Sequence, residues 1–306
     1  MTLREVSLSD RLSLTAAPLL LNGNQALVRA LLLQRERDRR AGLGTAGYVS
    51  GYRGSPLGGL DQALWAAGRA LAEAHVHFEP GVNEDLAATA VWGTQQLATM
   101  GDAAVDGVFG LWYGKGPGVD RAGDVLKHGN YAGTHPHGGV LVVTGDDHQG
   151  KSSTIAHHSQ QALAANSIPV LYPADVSEFV PYALLGWALS RYSGCWVGFK
   201  VVNETVEQAI TCELDLDALR IETPEPRELP PEGVHYRGTY TPAQDEVILR
   251  RWRLPLVQRF ARANRIDRQT LGDANAKLGI VTAGKTWHEV RLALRALGLD
   301  EARARA

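Results

Sequence analysis

The stretch GGVLVVTGDD at residues 138–147 decides the fold class of this chain. Its apolar run VLVV is bounded by glycines and acidic residues, which is the pattern of a short strand. A continuous apolar run, unlike an alternating one, indicates a strand that is buried on both faces. Such strands are typical of parallel sheets whose connecting helices cover both sides. We therefore predict a sheet with helices packed on each face.

Strands and helices alternate on both sides of this stretch. The alternation predicts an α/β fold with a doubly wound, mostly parallel sheet. Further strands are predicted at 45–52, 76–81, 106–116, 168–175 and 195–202, and helices at 24–40, 58–74, from Glu84 onward, at 119–132 and at 177–192.

The last third of the chain has a different composition. Residues 221–242 are rich in Pro, Glu and Gly and are predicted to form a linker. A basic amphipathic helix follows at about 243–264, with a kink expected at Pro255. Residues 278–299 predict a strand, a turn at Gly284 and a helix without a return strand, which is expected of the start of a second domain in a longer protein. The predicted divisions are 1–220, 221–275 and 276–306.

The overall composition excludes several classes of protein. A net charge of −2 over 306 residues offers no basic surface for nucleic acid or an anionic membrane. The two cysteines form no CxxC pattern, so neither a zinc site nor an iron–sulfur cluster is encoded. The first residues lack the apolar core of a signal peptide, and no apolar run approaches the roughly 18 residues of a membrane span. We predict a cytoplasmic protein.

Four polar, glycine-rich loops follow predicted strands. Ligands of open parallel sheets bind at the carboxyl ends of the strands, so these loops are the candidate site. They are YRGSPLGG (52–59), PGVNED (80–85), YGKGPGVD (113–120) and GDDHQGKSS (145–153).

Taken one by one, the same loops also admit structural interpretations. Asn83 is suited to cap a helix whose first turn carries Glu84 and Asp85, where the helix dipole favours acids. The YGKGPGVD loop matches no phosphate-binding motif and is equally well explained as a solvated loop. The adjacent His157 and His158 point in different directions on a helix, and a surface or packing role is the simpler interpretation. The residues alone therefore leave a structural and a functional reading open.

Taken together and in order, the motifs resemble the N-terminal region of the indolepyruvate ferredoxin oxidoreductase family, in its long fused bacterial form. This family belongs to the thiamine-diphosphate-dependent 2-oxoacid:ferredoxin oxidoreductase superfamily. The resemblance runs from about residue 5 to the end and implies a domain of the type that binds the thiamine pyrimidine. It is carried by GYRGSPLGGLDQALW, PGVNEDLAATAVWG, YGKGPGVDRAGDVLKH and GGVLVVTGDDHQGKSST.

The resemblance also implies roles for individual residues. Glu84 matches the family glutamate that hydrogen-bonds the pyrimidine N1′ and thereby promotes loss of the proton at thiazolium C2. No metal ligand is expected in this chain, because Mg²⁺ and the iron–sulfur cluster belong to parts of the family that it lacks. The implied cofactor-binding residues are Gly54, Ser55, Pro56, Asn83, Lys115 and Gly116, and the implied substrate-binding residues are Arg53, His148, Lys151, Ser152 and Ser153.

The implied reaction converts an aryl 2-oxoacid and CoA to acyl-CoA, carbon dioxide and reduced ferredoxin. The chain is expected to be inactive alone, because it needs the diphosphate-binding domain of the same or a partner chain, and a homodimer is expected. Two alternatives remain open at this stage. One is a non-catalytic binding or interaction module that keeps the thiamine-type fold, and the other is a different thiamine-dependent decarboxylase or transketolase relative.

Overall fold

Six parallel strands form the central sheet in this computed structural model, which describes residues 7–15, 18–150, 155–213, 215–226, 228–239, 241–273, 275–299 and 303. A separate antiparallel pair joins the first and last strands. The strands are β1 (Leu19–Asn22), β2 (Ala46–Gly51), β3 (Val76–Phe78), β4 (Val108–Lys115), β5 (Val140–Asp146), β6 (Val170–Leu171), β7 (Val197–Val202) and β8 (Ala209–Cys212).

Helices connect these strands and continue beyond the sheet. None of those in the described ranges combines the length and apolar character that crossing a bilayer requires. They are α1 (Gly23–Arg40), α2 (Leu60–Ala66), α3 (Gly68–Glu73), α4 (Glu84–Thr94), α5 (Gly116–Arg121), α6 (Gly123–Ala132), α7 (Ser159–Ala165), α8 (Phe179–Ser193), α9 (Asn203–Val206), α10 (Pro242–Ile248), α11 (Leu254–Ala263) and α12 (Thr286–Ala296).

Each face of the sheet carries its own hydrophobic core, which confirms the predicted doubly wound architecture. Every residue of β5 is buried, as its uninterrupted apolar run predicts. Side chains alternate along a strand, so Leu141 and Val143 join the core under α1 and α8. Val140 and Val142 join the opposite core, which includes Leu126 of α6.

The order of strands places a topological switch point between β2 and β4. The sheet order is β3-β2-β4-β5-β7-β6, and each neighbouring pair is parallel. From β2 the chain moves to one edge through β3, and from β4 it builds the other side of the sheet. Loops diverge above such a point and leave a crevice, where ligands of this fold class bind.

Two predicted helices are broken at glycines. The helix predicted at 58–74 is divided into α2 and α3, and the one predicted near 119–132 into α5 and α6. The second member of each pair begins at Gly68 or Gly123. Glycine costs about 1 kcal/mol relative to alanine inside a helix, which lowers the penalty for a break at these positions.

The strand predicted within residues 278–299 is wrong, although helix α12 forms. Residues 278–283 have no strand conformation, because no described segment offers them a hydrogen-bonding partner. Instead, Gly284 adopts a positive φ of 58° and packs against the ring of Tyr172. The segment is also tied to the sheet domain by His288 Nε2, which lies 2.7 Å from Asp175 Oδ2.

The predicted linker is fastened to the sheet domain by a buried arginine. Arg253 Nε donates a hydrogen bond to the Val234 carbonyl at 2.6 Å. Its two terminal nitrogens donate to the carbonyls of Tyr131 at 2.6 Å and Ala132 at 3.1 Å. These carbonyls end α6, so the guanidinium satisfies acceptors that the helix itself leaves open.

A π-helical turn at Leu249–Arg253 interrupts the predicted basic helix immediately before Pro255, whose missing N–H prevents regular pairing.

His235, which lies next to this anchor, makes the fold sensitive to acid. Burial and, after it, the positive charge of Arg253 lower the pKa of His235 to about 4. An unfolded histidine titrates near pH 6.5, so below that pH the unfolded chain binds more protons than the folded one. The contribution of neutral His235 to the stability of the fold is therefore fully present above about pH 6.5 and is lost as the pH falls toward 4.

We expect this linkage to lower the free energy of unfolding by about 3 kcal/mol between pH 7 and pH 4. Urea denaturation of the wild-type protein and of His235→Leu at several pH values measures it. The variant should lose that part of the pH dependence, even though the substitution also changes stability at neutral pH. Identical pH slopes for the two proteins would contradict the assignment.

Candidate functional site

The loops after β2, β3 and β4 meet at the switch point. The Gly81 amide donates a hydrogen bond to the Gly51 carbonyl at 2.9 Å, which ties the loop after β3 to the end of β2. A Cβ at Gly54 would lie 2.7 Å from Lys115 Cδ, so the lysine stem passes directly over the glycine. The Ser55–Pro56 peptide bond in this loop is cis. The structure thus brings Gly54, Lys115 and Gly116 together beside the start of α4.

Glu84 is the first residue of α4 and is held firmly by its backbone. Asn83 caps the helix, as its residue type predicts, and its side-chain oxygen accepts a hydrogen bond from the Leu86 amide at 2.9 Å. The Trp112 indole donates to the Glu84 carbonyl at 3.1 Å and anchors the helix start on β4. Glu84 is only 8% exposed, although it lies at a helix terminus.

The carboxylate of Glu84 faces α5 rather than a hydrogen-bond donor. A Cβ at Gly118 would lie 2.7 Å from Glu84 Cγ and 2.9 Å from Oε1, so this glycine leaves the space that the side chain fills. Arg121 Nε lies 3.8 Å from Glu84 Oε2 and 3.4 Å from Asp85 Oδ2. Among the residues that the structure describes, no hydrogen bond reaches the Glu84 carboxylate. Its oxygens therefore remain available to a ligand.

Sequence reasoning did not single out Gly118 or Arg121, although both contact Glu84. They lie three residues apart in the YGKGPGVDRAGD stretch and so share a face of α5. Their spacing was the available signal, but nothing in the sequence indicated that this face would turn toward α4. The acid at Asp85 keeps its structural role, because it pairs with Arg121 at the helix start.

A buried phenol–carboxylate pair lies beneath the loop after β2. Tyr113 Oη donates a hydrogen bond to Asp61 Oδ1 at 2.5 Å. The pKa of Tyr113 is raised, first by burial and then by the hydrogen bond and charge of Asp61, whereas Arg53 acts in the opposite direction.

A second cleft of about 440 Å³ lies farther along the carboxyl edge of the sheet, between β5, β6 and β7 and the segment before α12. His148 lines it together with Tyr172 and Lys200. Lys200 is buried and lies 3.1 Å from Asp146 Oδ2, and its amine lies 4.8 Å from the Tyr172 ring centre. Burial and the charge of Asp146 raise the pKa of Tyr172 to about 12.

The sequence-predicted residues thus occupy two neighbouring regions. Residues 53–56, 83–84 and 115–116 surround the switch point, whereas His148 lies at the second cleft. Lys151, Ser152 and Ser153 lie outside the described residues, so their predicted role stays a prediction.

Comparison with known proteins finds a matching family model and related sequences. The family model, described as the indolepyruvate oxidoreductase domain, matches residues 268–306. The chain is 26% identical over 288 residues to indolepyruvate oxidoreductase subunit IorA of Methanothermobacter thermautotrophicus, covering 92% of this chain and 41% of that protein. It is 24% identical over 291 residues to the subunit of the same name from Pyrococcus abyssi, covering 92% and 40% respectively.

A solved structure matches the fold. The 2-oxoglutarate:ferredoxin oxidoreductase from Magnetococcus marinus, solved with 2-oxoglutarate, coenzyme A and succinyl-CoA bound, superposes with a TM-score of 0.65 at 17% identity. The match covers 92% of this chain and 52% of that chain.

The chain therefore has the α/β fold of a 2-oxoacid:ferredoxin oxidoreductase. The matches together support the indolepyruvate oxidoreductase family, in agreement with the resemblance of the ordered motifs. The chain spans about two fifths of the length of the curated relatives it matches, 41% and 40%.

Proposed function

We propose that this chain supplies the pyrimidine-binding half of a thiamine diphosphate site in an aryl 2-oxoacid:ferredoxin oxidoreductase. The observation that carries the proposal is the buried Glu84 carboxylate, which lies at the start of α4, beside the loops that meet at the switch point, and has no hydrogen-bond donor among the described residues. A ligand that shares a proton with this carboxylate would supply the hydrogen bond that the described residues do not.

The carboxyl group of Glu84 is of a type that would fit the aminopyrimidine of the cofactor. When bound, thiamine diphosphate supplies the electron sink for decarboxylation of a 2-oxoacid. Glu84 would hold a proton at the pyrimidine N1′, and burial would strengthen that hydrogen bond by excluding water. Arg121 Nε, at 3.8 Å, is beyond hydrogen-bond distance of the Glu84 carboxylate and so does not occupy its oxygens.

The remaining predicted residues would line the cofactor and the substrate. Gly54, Ser55, Pro56, Asn83, Lys115 and Gly116 would surround the pyrimidine. Arg53, His148, Lys151, Ser152 and Ser153 would approach the 2-oxoacid, for which positive charge and hydroxyl groups are suitable partners. CoA, ferredoxin and a domain that binds the diphosphate with Mg²⁺ complete the proposed reaction, and we propose that the enzyme is a homodimer.

The test uses the intact protein that carries this chain, with any further subunit it requires. Titration with thiamine diphosphate should give saturable binding, and indolepyruvate with CoA should then drive reduction of ferredoxin. Binding without any 2-oxoacid-dependent reduction would favour a non-catalytic module. Decarboxylation that proceeds without ferredoxin would instead favour another class of thiamine enzyme.

A further inference from the structure

The imidazole of His157 packs against the beginning of α5. A Cβ at Gly116 would lie only 2.5 Å from His157 Cγ, so the ring rests directly on the glycine. His157 Nδ1 also lies 3.4 Å from Asp120 Oδ2. Both contacts are on α5, whose other residues Gly118 and Arg121 contact Glu84. His157 therefore supports the helix that forms one wall of the Glu84 site.

A buried charge pair fixes the position of His157 from the other side. Ser159, two residues later, begins α7, and its amide and hydroxyl donate to the Asp146 carboxylate at 3.0 and 2.5 Å. Asp146 is fully buried and is paired with Lys200 of β7 at 3.1 Å. Lys200 in turn donates to Gln160 at 2.6 Å. These contacts hold the start of α7, and hence His157, against the sheet.

We propose that His157 is a positioning residue, which holds α5 at the distance where Gly118 and Arg121 contact the Glu84 carboxylate. The proposal rests on the thiamine function proposed above and assigns a role to a histidine whose residue type alone indicated only packing. The buried pair of Lys200 and Asp146 holds the start of α7, and His157, which lies just before α7, contacts α5. A misplacement of a catalytic group by about 1 Å can lower the rate about 10²-fold. A residue that fixes the position of α5 therefore affects the reaction without touching the cofactor.

The experiment compares three variants of the intact protein, with thiamine diphosphate as the added ligand. His157→Ala removes the ring, and His157→Asn keeps a donor for Asp120. His128→Gln is the matched control, because His128 forms a similar pair with Asp124 at 3.6 Å on α6, outside the site. One readout is amide hydrogen exchange of α5, and the other is deuterium exchange at thiamine C2 with saturating cofactor.

We expect His157→Ala to raise amide exchange in α5 about tenfold and to slow C2 exchange about tenfold, with recovery to within about threefold in His157→Asn. Unchanged rates in His157→Ala, or equal losses in His128→Gln, would overturn the proposal. If the alanine variant fails to fold, an asparagine variant that is folded yet as slow as a Glu84 variant also overturns it. Absence of C2 exchange in the wild-type protein would refute the thiamine function instead, and α5 amide exchange would still decide whether His157 seats α5.

Discussion

Replacing Glu84 by glutamine is expected to slow deuterium exchange at thiamine C2 by about 10²–10⁴-fold in the intact protein with saturating cofactor. Glutamine preserves the size and the hydrogen-bonding capacity of the side chain, but its amide cannot accept and return a proton. Proton NMR of samples quenched at successive times measures the exchange, and ferredoxin reduction should fall in parallel. The helix start should persist, because Asn83 and Trp112 hold it through backbone groups.

Two further variants make this result specific to the position of the carboxyl group. Glu84→Asp keeps an acid but shortens its reach, and we expect an intermediate loss of about 10²-fold. Glu79→Gln is the control, because Glu79 lies in the loop before α4 with its side chain 62% exposed and 3.5 Å from His77. Exchange at the wild-type rate in Glu84→Gln would remove the proton-holding role from this residue.

The sequence predicts the sheet because its buried strands are local signals. The run VLVV in β5 is recognisable as apolar on both faces without any information on neighbouring strands. The parallel topology then places the loops after such strands at the same edge of the sheet. The pair of β1 and β8 was missed, since Leu19 pairs with Cys212 across most of the chain. Residues 278–283 carry the composition of a strand, but strand formation depends on a partner that no described segment supplies.

The same division applies to the candidate site. Asn83 and Glu84 can be placed from sequence, because a cap residue and acids at a helix start have a local physical cause. Gly118, Arg121 and His157 cannot, because their significance depends on how α5 packs against α4 and α7. Side-chain contacts between elements arise only when the sheet fixes the helices side by side. Local sequence therefore predicts the position of the Glu84 carboxylate, whereas its surroundings depend on long-range packing.

Gly118→Ala provides a test of that environment which leaves Glu84 itself intact. The added Cβ would lie 2.7 Å from Glu84 Cγ and 2.9 Å from Oε1, closer than atoms can pack, so the carboxylate must move. We expect C2 exchange to slow by about 10–100-fold and the affinity for thiamine diphosphate to fall. Rates measured as for the Glu84 variants, together with a cofactor titration, establish both effects.

Stability should not follow activity in this variant, and that difference separates a displaced carboxylate from a damaged fold. Alanine is a better helix former than glycine by about 1 kcal/mol, which offsets the cost of moving one side chain. Urea denaturation should therefore show a free energy of unfolding within about 1 kcal/mol of wild type. Gly123→Ala is the matched control, because a Cβ there meets no atom within 4 Å and should leave C2 exchange unchanged. If Gly118→Ala exchanged as fast as Gly123→Ala, the close packing of α5 on Glu84 would have no part in proton transfer.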